Sequence, residues 1–285
     1  MKKVFHVLAV FCALGITTGQ TSAYAQEKIR VLGDGPLRPA LIEIGEAFRR
    51  ESGNQVEFVF GTSPVVHKKV VDGEIADVLI IQPNFVAELV MAGKVVPGEH
   101  PVVGRVGFGL AVRADKPARD ISTTEAFKQT LSNADSLIFN NVASGNYFAK
   151  VLERLGISEA VKAEVVRLDP LAVYDRVLQG KGNDIGVGVI PLINTAKGLR
   201  LLGRLPAEIQ SYIVYAAAPM TSSTSPRAGR AFIYFLASPG AKAAFVDKSP
   251  CVGSRGGEGR SCLSARTGAA RRGSSRPARA RYPPS

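Results

Sequence analysis

Residues 55–90 read QVEFVFGTSPVVHKKVVDGEIADVLIIQPNFVAELV, and the hydropathy pattern changes period along this stretch. Residues 56–60 are β-branched or aromatic apart from Glu57 and read as a strand. Gly61, Thr62 and Ser63 follow as a small-residue loop, and Pro64 opens a helical period over 64–71. The unbroken apolar run 78–81 is a buried strand, and 84–92 is helical again. Strand, loop, helix, strand, helix is the signature of an α/β architecture with largely parallel sheets.

The same alternation continues in both directions. Further strands are expected at 28–32, 106–112, 136–139, 164–168, 185–189 and 213–218, and further helices at 37–51, 123–131, 145–155, 170–179 and 226–237. The helix from Leu37 has apolar residues at 37, 41, 44 and 48 and stops at Gly53, so it covers a sheet with one face and exposes Glu43, Glu46, Arg49 and Arg50. A body of about 225 residues forms one large or two medium domains.

The ends differ from the body. Lys2 and Lys3 precede an apolar run, residues 4–16, and the small-residue ending Ala23, Tyr24, Ala25 completes a secretory signal over 1–25. The run is shorter than the roughly 20 residues of a membrane span, so a mature protein beginning at Gln26 is expected in the periplasm. Residues 249–285 hold eight Arg and little apolar surface, a composition that predicts disorder. The abrupt change after a helical stretch points to a shifted reading frame; a basic tail for nucleic acid or acidic membrane is the alternative. Of the formal charge of +12, the tail carries +7 and the signal +2, leaving +3 for residues 26–250. Nucleic acid is therefore not an expected partner of the body.

Cys12, Cys251 and Cys262 all lie outside the body, which excludes disulfides, structural zinc and a Cys nucleophile from it. His67 and His100 have no metal-ligand spacing, and neither a G-x-S-x-G elbow nor a phosphate loop occurs. No metal, no cofactor and no enzymatic activity are expected. His67, beside Lys68 and Lys69, reads as part of a solvated helix face, and Asp184 as a turn residue.

Three strands run into short loops that open helices: Gly33 to Pro36, Gly61 to Pro64, and Ala143 to Asn146. Small residues let backbone N–H groups approach a ligand, and each helix start adds a partial positive charge worth about 0.3–2 kcal/mol toward an anion. Singly, each loop is also explained as an ordinary cap, with Ser63 before Pro64 and Ser144 as capping hydroxyls.

At these residues the chain resembles the molybdate-binding periplasmic proteins of ABC importers, over about 29–246. Phe60, Gly61, Thr62, Ser63 is similar to F-G-S-S, and Gly73 to Val78 to G-x-x-A-D-V. Val142 to Tyr147 looks like V-P-A-G-x-Y, and Val177, Gly180, Asp184, Gly186 like V-x-x-G-x-x-D-x-G. The resemblance implies a two-lobed α/β fold, each lobe a mostly parallel sheet flanked by helices, joined by two hinge crossovers near 106–112 and 213–218. It places lobe one at 26–106 and 217–248 and lobe two at 107–216. It implies a monomer that binds a small molecule or molybdate-like oxyanion between the lobes and delivers it to a membrane ABC permease by hinge closure. The ligand positions it points to are Gly35, Pro36, Thr62, Ser63, Ser144, Gly145, Pro170 and Val189.

The chain departs from the family at some of these positions. Pro36 stands where the family has a Ser, Pro170 where it has a backbone donor, and Val189 where it has a Tyr. Asp34 beside a single anionic charge, at about 5 Å and an effective dielectric near 20, costs roughly 3 kcal/mol unless it turns away. A small organic solute is the alternative ligand, and a ligand-sensing receptor is the alternative role.

Overall fold

A computed structural model describes residues 26–245 apart from 159–163, 171 and the side chain of 143. The expected signal over 1–25 and the expected tail over 249–285 lie outside the described residues. In chain order the first half runs β1 (Lys28–Asp34), α1 (Arg38–Ser52), β2 (Gln55–Gly61), α2 (Ser63–Val71), β3 (Val78–Ile81), α3 (Pro83–Met91) and β4 (Val102–Arg113). A 3-10 turn, Gly35–Leu37, joins β1 to α1. Next come α4 (Thr124–Ser132), β5 (Ser136–Asn140), α5 (Ala143–Arg154), β6 (Glu164–Leu168), α6 (Ala172–Gln179) and β7 (Asp184–Val189). The remainder is α7 (Ile190–Thr195), β8 (Leu199–Arg204), β9 (Tyr212–Pro219), α8 (Pro226–Ala237) and α9 (Pro239–Ala244).

The strands form one sheet in the order β2-β1-β3-β9-β4-β7-β5-β6, with β8 also on β4. β1 is parallel to β2 and β3, and β5 is parallel to β6 and β7, so each half has a parallel core. β4 and β9 run antiparallel between the halves: β9 pairs with β3 through 216–219 and with the first part of β4 through 212–216. The rest of β4, from Phe108, pairs with β7 and β8. β4 is longer than the 106–112 expected, because its first residues are extended by their ladder to β9 rather than by their own pattern. Two elements were absent from the sequence reading, α7 and β8. Residues 190–195 are too short and too apolar to separate from the preceding strand by period.

α1 buries Leu41, Ile44 and Phe48 as its spacing predicts, and ends on Gly53 at φ 78°. Phe48 meets Phe232 and Phe235 of α8 edge-on at 5.1 and 5.3 Å between ring centroids. Each such side chain contributes roughly 1.5–3 kcal/mol by burial, which clamps α1 and α8 to the same face.

The Gly73–Val78 motif is explained by Asp77, which is 2 % exposed. Its Oδ2 accepts the Arg30 N–H at 2.8 Å, and its Oδ1 accepts the Ser223 hydroxyl at 2.7 Å and the N–H groups of Thr224 and Ser225 at 2.9 Å. One carboxylate thus binds β1 to the residues that lead into α8. Burial alone would raise its pKa, but the hydrogen bonds from Arg30, Ser225, Ser223 and Thr224 outweigh it and hold the carboxyl below its ordinary value. The second motif is likewise structural. Asp184, expected in a turn, is instead the buried first residue of β7, and it accepts from the Ser136 hydroxyl and from Gly182 N–H at 3.1 Å. A Cβ on Gly180 would collide with the Asp184 carboxylate, and one on Gly186 would stand 2.6 Å from Val177 Cγ2. His67 is not on a solvated face: it lies between α2 and α3, 3.2 Å from Glu88 and 5.4 Å from the Phe85 ring centroid.

Candidate functional site

The carboxyl ends of β1, β2 and β3 carry the first group of expected residues. In open α/β sheets the crevice beyond such ends is where ligands bind. Asp34 ends β1 opposite Gly61 at the end of β2, and both its neighbours in the loop, Gly35 and Pro36, are half-buried. Ser63 is the first residue of α2 and fully buried, one position inside the helix rather than at its cap. Its N–H donates to Asp34 Oδ2 at 3.0 Å and its hydroxyl donates to the same oxygen. The Ser63 Oγ in turn accepts Gln82 N–H at 3.2 Å, so one hydroxyl links all three strand ends. Thr62 is exposed, and its carbonyl accepts the Val66 N–H at 2.9 Å.

Asp34 therefore does turn away from open solvent, 4 % exposed, and caps α2 instead of its own helix. Burial raises its pKa, and the donors Ser63 and Gly35 only partly offset that. Its negative charge and burial together also push up the hydroxyl of Tyr215 on β9, burial being the larger cause. Because the folded pKa of Asp34 is raised, its ionised form costs stability at neutral pH, and that cost is relieved as pH falls through the folded value, which lies above 3.8. Asp34→Asn keeps the acceptor and removes the charge. It is expected to melt no lower than the parent chain at pH 7, with any gap closing as pH is lowered; a Tm series against pH measures this, and a large fall at pH 7 would contradict it.

The second group lies at the ends of β5, β6 and β7. Asn140 ends β5, and its Oδ1 accepts the N–H groups of Gly145 at 2.8 Å and Val142 at 3.2 Å and pairs with the Ser144 hydroxyl. The backbone carbonyl of Asn140 lies against Gly145 so closely that no Cβ fits there. Pro170 is half-buried in the turn after β6, and α6 begins at Ala172, two residues later than Pro170 suggested. Val189 N–H donates to the hydroxyl of Tyr174, which is itself buried. The turn Gly35–Leu37 lies beside α7 and β4, which brings the end of β1 close to the residues that follow β7.

Three backbone donors of the loops expected to meet a ligand are thus used by the chain itself, Gly35 and Ser63 by Asp34 and Gly145 by Asn140, and the N–H of Val189, which stands where the family has a Tyr, is used by Tyr174. Two cations border the same strand ends. Arg38 stacks on Phe60 at 4.3 Å, and Arg167 lies 5.3 Å over Phe139 and donates to Asn146 Oδ1. Neither has a carboxylate partner among the described residues. Sequence reasoning missed Asn140, Tyr174 and both arginines. An Asn at a strand end five residues before a Gly is a local capping signal that would have found the first. The others are assembled by tertiary contacts and leave no local trace.

A family model described as bacterial extracellular solute-binding protein matches residues 29–248. A curated protein named aconitate isomerase, from a Pseudomonas species, is 27% identical over 248 residues, 84% of this chain and 94% of that one. Among solved structures, a substrate-binding domain assigned to a molybdenum ABC transporter of Clostridium difficile superposes with TM-score 0.63 at 17% identity, covering 77% of this chain and 96% of that one. The periplasmic molybdate-binding protein of Azotobacter vinelandii gives 0.60 at 18%, covering 76% and 96%. At these identities the likeness is one of fold, and that fold is the two-lobed one of periplasmic binding proteins.

Proposed function

Because this chain belongs to the bacterial extracellular solute-binding protein family, we propose that it captures a small organic acid between its two lobes, in the periplasm, and presents it to an ABC permease. The lobes divide within β4 and β9, with 26–106 and 217–248 in one and 107–216 in the other, and the chain acts as a monomer. The observation that carries the ligand class is the engagement of the loop donors by Asp34, Asn140 and Tyr174. An inorganic dianion needs those N–H groups, and a carboxylate of the chain already sits on two of them. Arg38 and Arg167, one from each lobe, instead offer the planar forks that recognise carboxylates. Lobe closure around the ligand follows as a hinge motion.

The test is a thermal-shift panel of di- and tricarboxylates, aconitate included, beside molybdate, tungstate and sulfate. Any ligand of the folded state raises Tm, by about 2.7 kcal/mol of stability at a hundredfold excess over Kd. A shift with organic acids that is lost in Arg38→Ala is expected; a shift with molybdate or tungstate alone would return the cleft to the oxyanion reading. The aconitate isomerase relative favours a second reading, in which the same cleft also moves a proton on its acid. Asp34, buried with a raised pKa, is the carboxyl suited to that step. Isomerisation of aconitate followed by NMR, abolished in Asp34→Asn, would establish it, and binding without turnover would dismiss it.

A further inference from the structure

The first part of β4 has β9 along one edge, and no strand pairs with its other edge among the described residues. Beside that open edge is a cavity of about 430 Å³, within the range of roughly 300–1,000 Å³ typical of small-ligand clefts. Its lining comes from both lobes and from the hinge. Arg204 of β8, Pro191 of α7, Lys242 and Phe245 at the end of α9, and Arg105 and Tyr212 of β4 and β9 all contribute to it. Among the described residues no Asp or Glu lines it. None of the loop residues of the cleft takes part.

Arg105 and Lys242, with no acid among the described lining residues, give the space a positive potential. The Arg105 guanidinium is 4.7 Å from the centroid of the Tyr212 ring, a cation–π contact that does not neutralise it. Phe245 supplies the apolar wall, and it fits because Gly104 has no side chain: a Cβ there would stand 3.0 Å from the ring.

We propose that this cavity is a second ligand site, for an amphipathic organic anion whose carboxylate meets Arg105 and Lys242 and whose apolar body lies against Phe245. A carboxylate between a guanidinium and an ammonium makes charge-assisted hydrogen bonds with both, and the apolar part gains by burial against the ring. Because the walls belong to different lobes, rotation about β4 and β9 changes the width of the cavity. A ligand there binds open and closed forms unequally and so couples to the cleft, and the coupling is reciprocal.

The site is tested by calorimetric titration of the full chain with 4-phenylbutyrate, with 4-phenylbutanol as the uncharged control. The acid is expected to bind and the alcohol not. Affinity should fall about tenfold in Arg105→Ala and in Lys242→Ala, remain within about threefold of the parent in Arg105→Lys, which keeps the charge, and be unchanged in Arg38→Ala, which alters only the cleft. Equal binding of the alcohol, no saturable binding of the acid, or a loss confined to Arg38→Ala would each overturn the proposal. The last result would place the acid in the cleft and leave the cleft reading standing.

Discussion

Gly145→Ala is expected to melt roughly 10 °C below the parent chain, corresponding to a loss of about 3–5 kcal/mol. The added methyl has no room, since the position of a Cβ falls on the backbone carbonyl of Asn140. Relief requires α5 to move away from the end of β5. That movement breaks the Gly145 N–H bond to Asn140 Oδ1 and disturbs Phe148, whose ring packs edge-on against Phe139 at 5.1 Å. Overpacking alone costs about 1–3 kcal/mol, and an orphaned buried donor adds about 1–3 kcal/mol. Gly240→Ala is the control, because a Cβ there meets nothing within 4 Å; its Tm should stay within a few degrees of the parent. Equal melting of the two variants would show that α5 does not press on the strand end as described.

Asp77→Ala is expected to lose about 3 kcal/mol, a fall in Tm of roughly 6–12 °C. The substitution strands five donors at once: the N–H groups of Arg30, Thr224 and Ser225 and the hydroxyls of Ser223 and Thr224. Asp77→Asn retains one acceptor oxygen and should lose less. The pH dependence has a definite sign. The folded state holds the Asp77 carboxyl below its ordinary value of 3.8, so its stabilisation is complete above that value and is lost as pH falls through the folded one. The gap in Tm between the parent and Asp77→Asn should therefore be widest near neutrality and narrow below pH 3.8. Asp34 has the opposite sign, because burial raises it. A gap for Asp77→Asn that widens on acidification would contradict the assignment of its role.

Asp34 and Asp77 also show how the motifs divided. Both lie at loop or strand-end positions where a polar residue next to small residues reads equally well as a ligand contact or as a cap. Asp77 and Asp184 proved to be structural anchors, and their spacing to Gly73, Gly180 and Gly186 follows from packing, as the Val177 contact at Gly186 shows. α1 was legible because a sheet-covering helix advertises its buried face every three or four residues, and Leu37, Leu41, Ile44 and Phe48 are all buried. β8 was not. Only Leu202 of its six residues is buried, and the strand is extended by its ladder to β4.

By itself the sequence determined the alternation of strands and helices, the largely parallel sheet and the small-residue loops that open helices at the strand ends. Period and small-residue loops are local properties, and local sterics and hydropathy suffice to set them. Only the tertiary structure decided which donors in those loops are still available. Ser63 meets Asp34 across 29 residues of chain, and Val189 meets Tyr174 only because α6 packs beside β7. A buried N–H must be paired with something. Whether its partner is a ligand or another side chain depends on what the fold brings within about 3 Å, and that distance is not written in the spacing of residues along the chain.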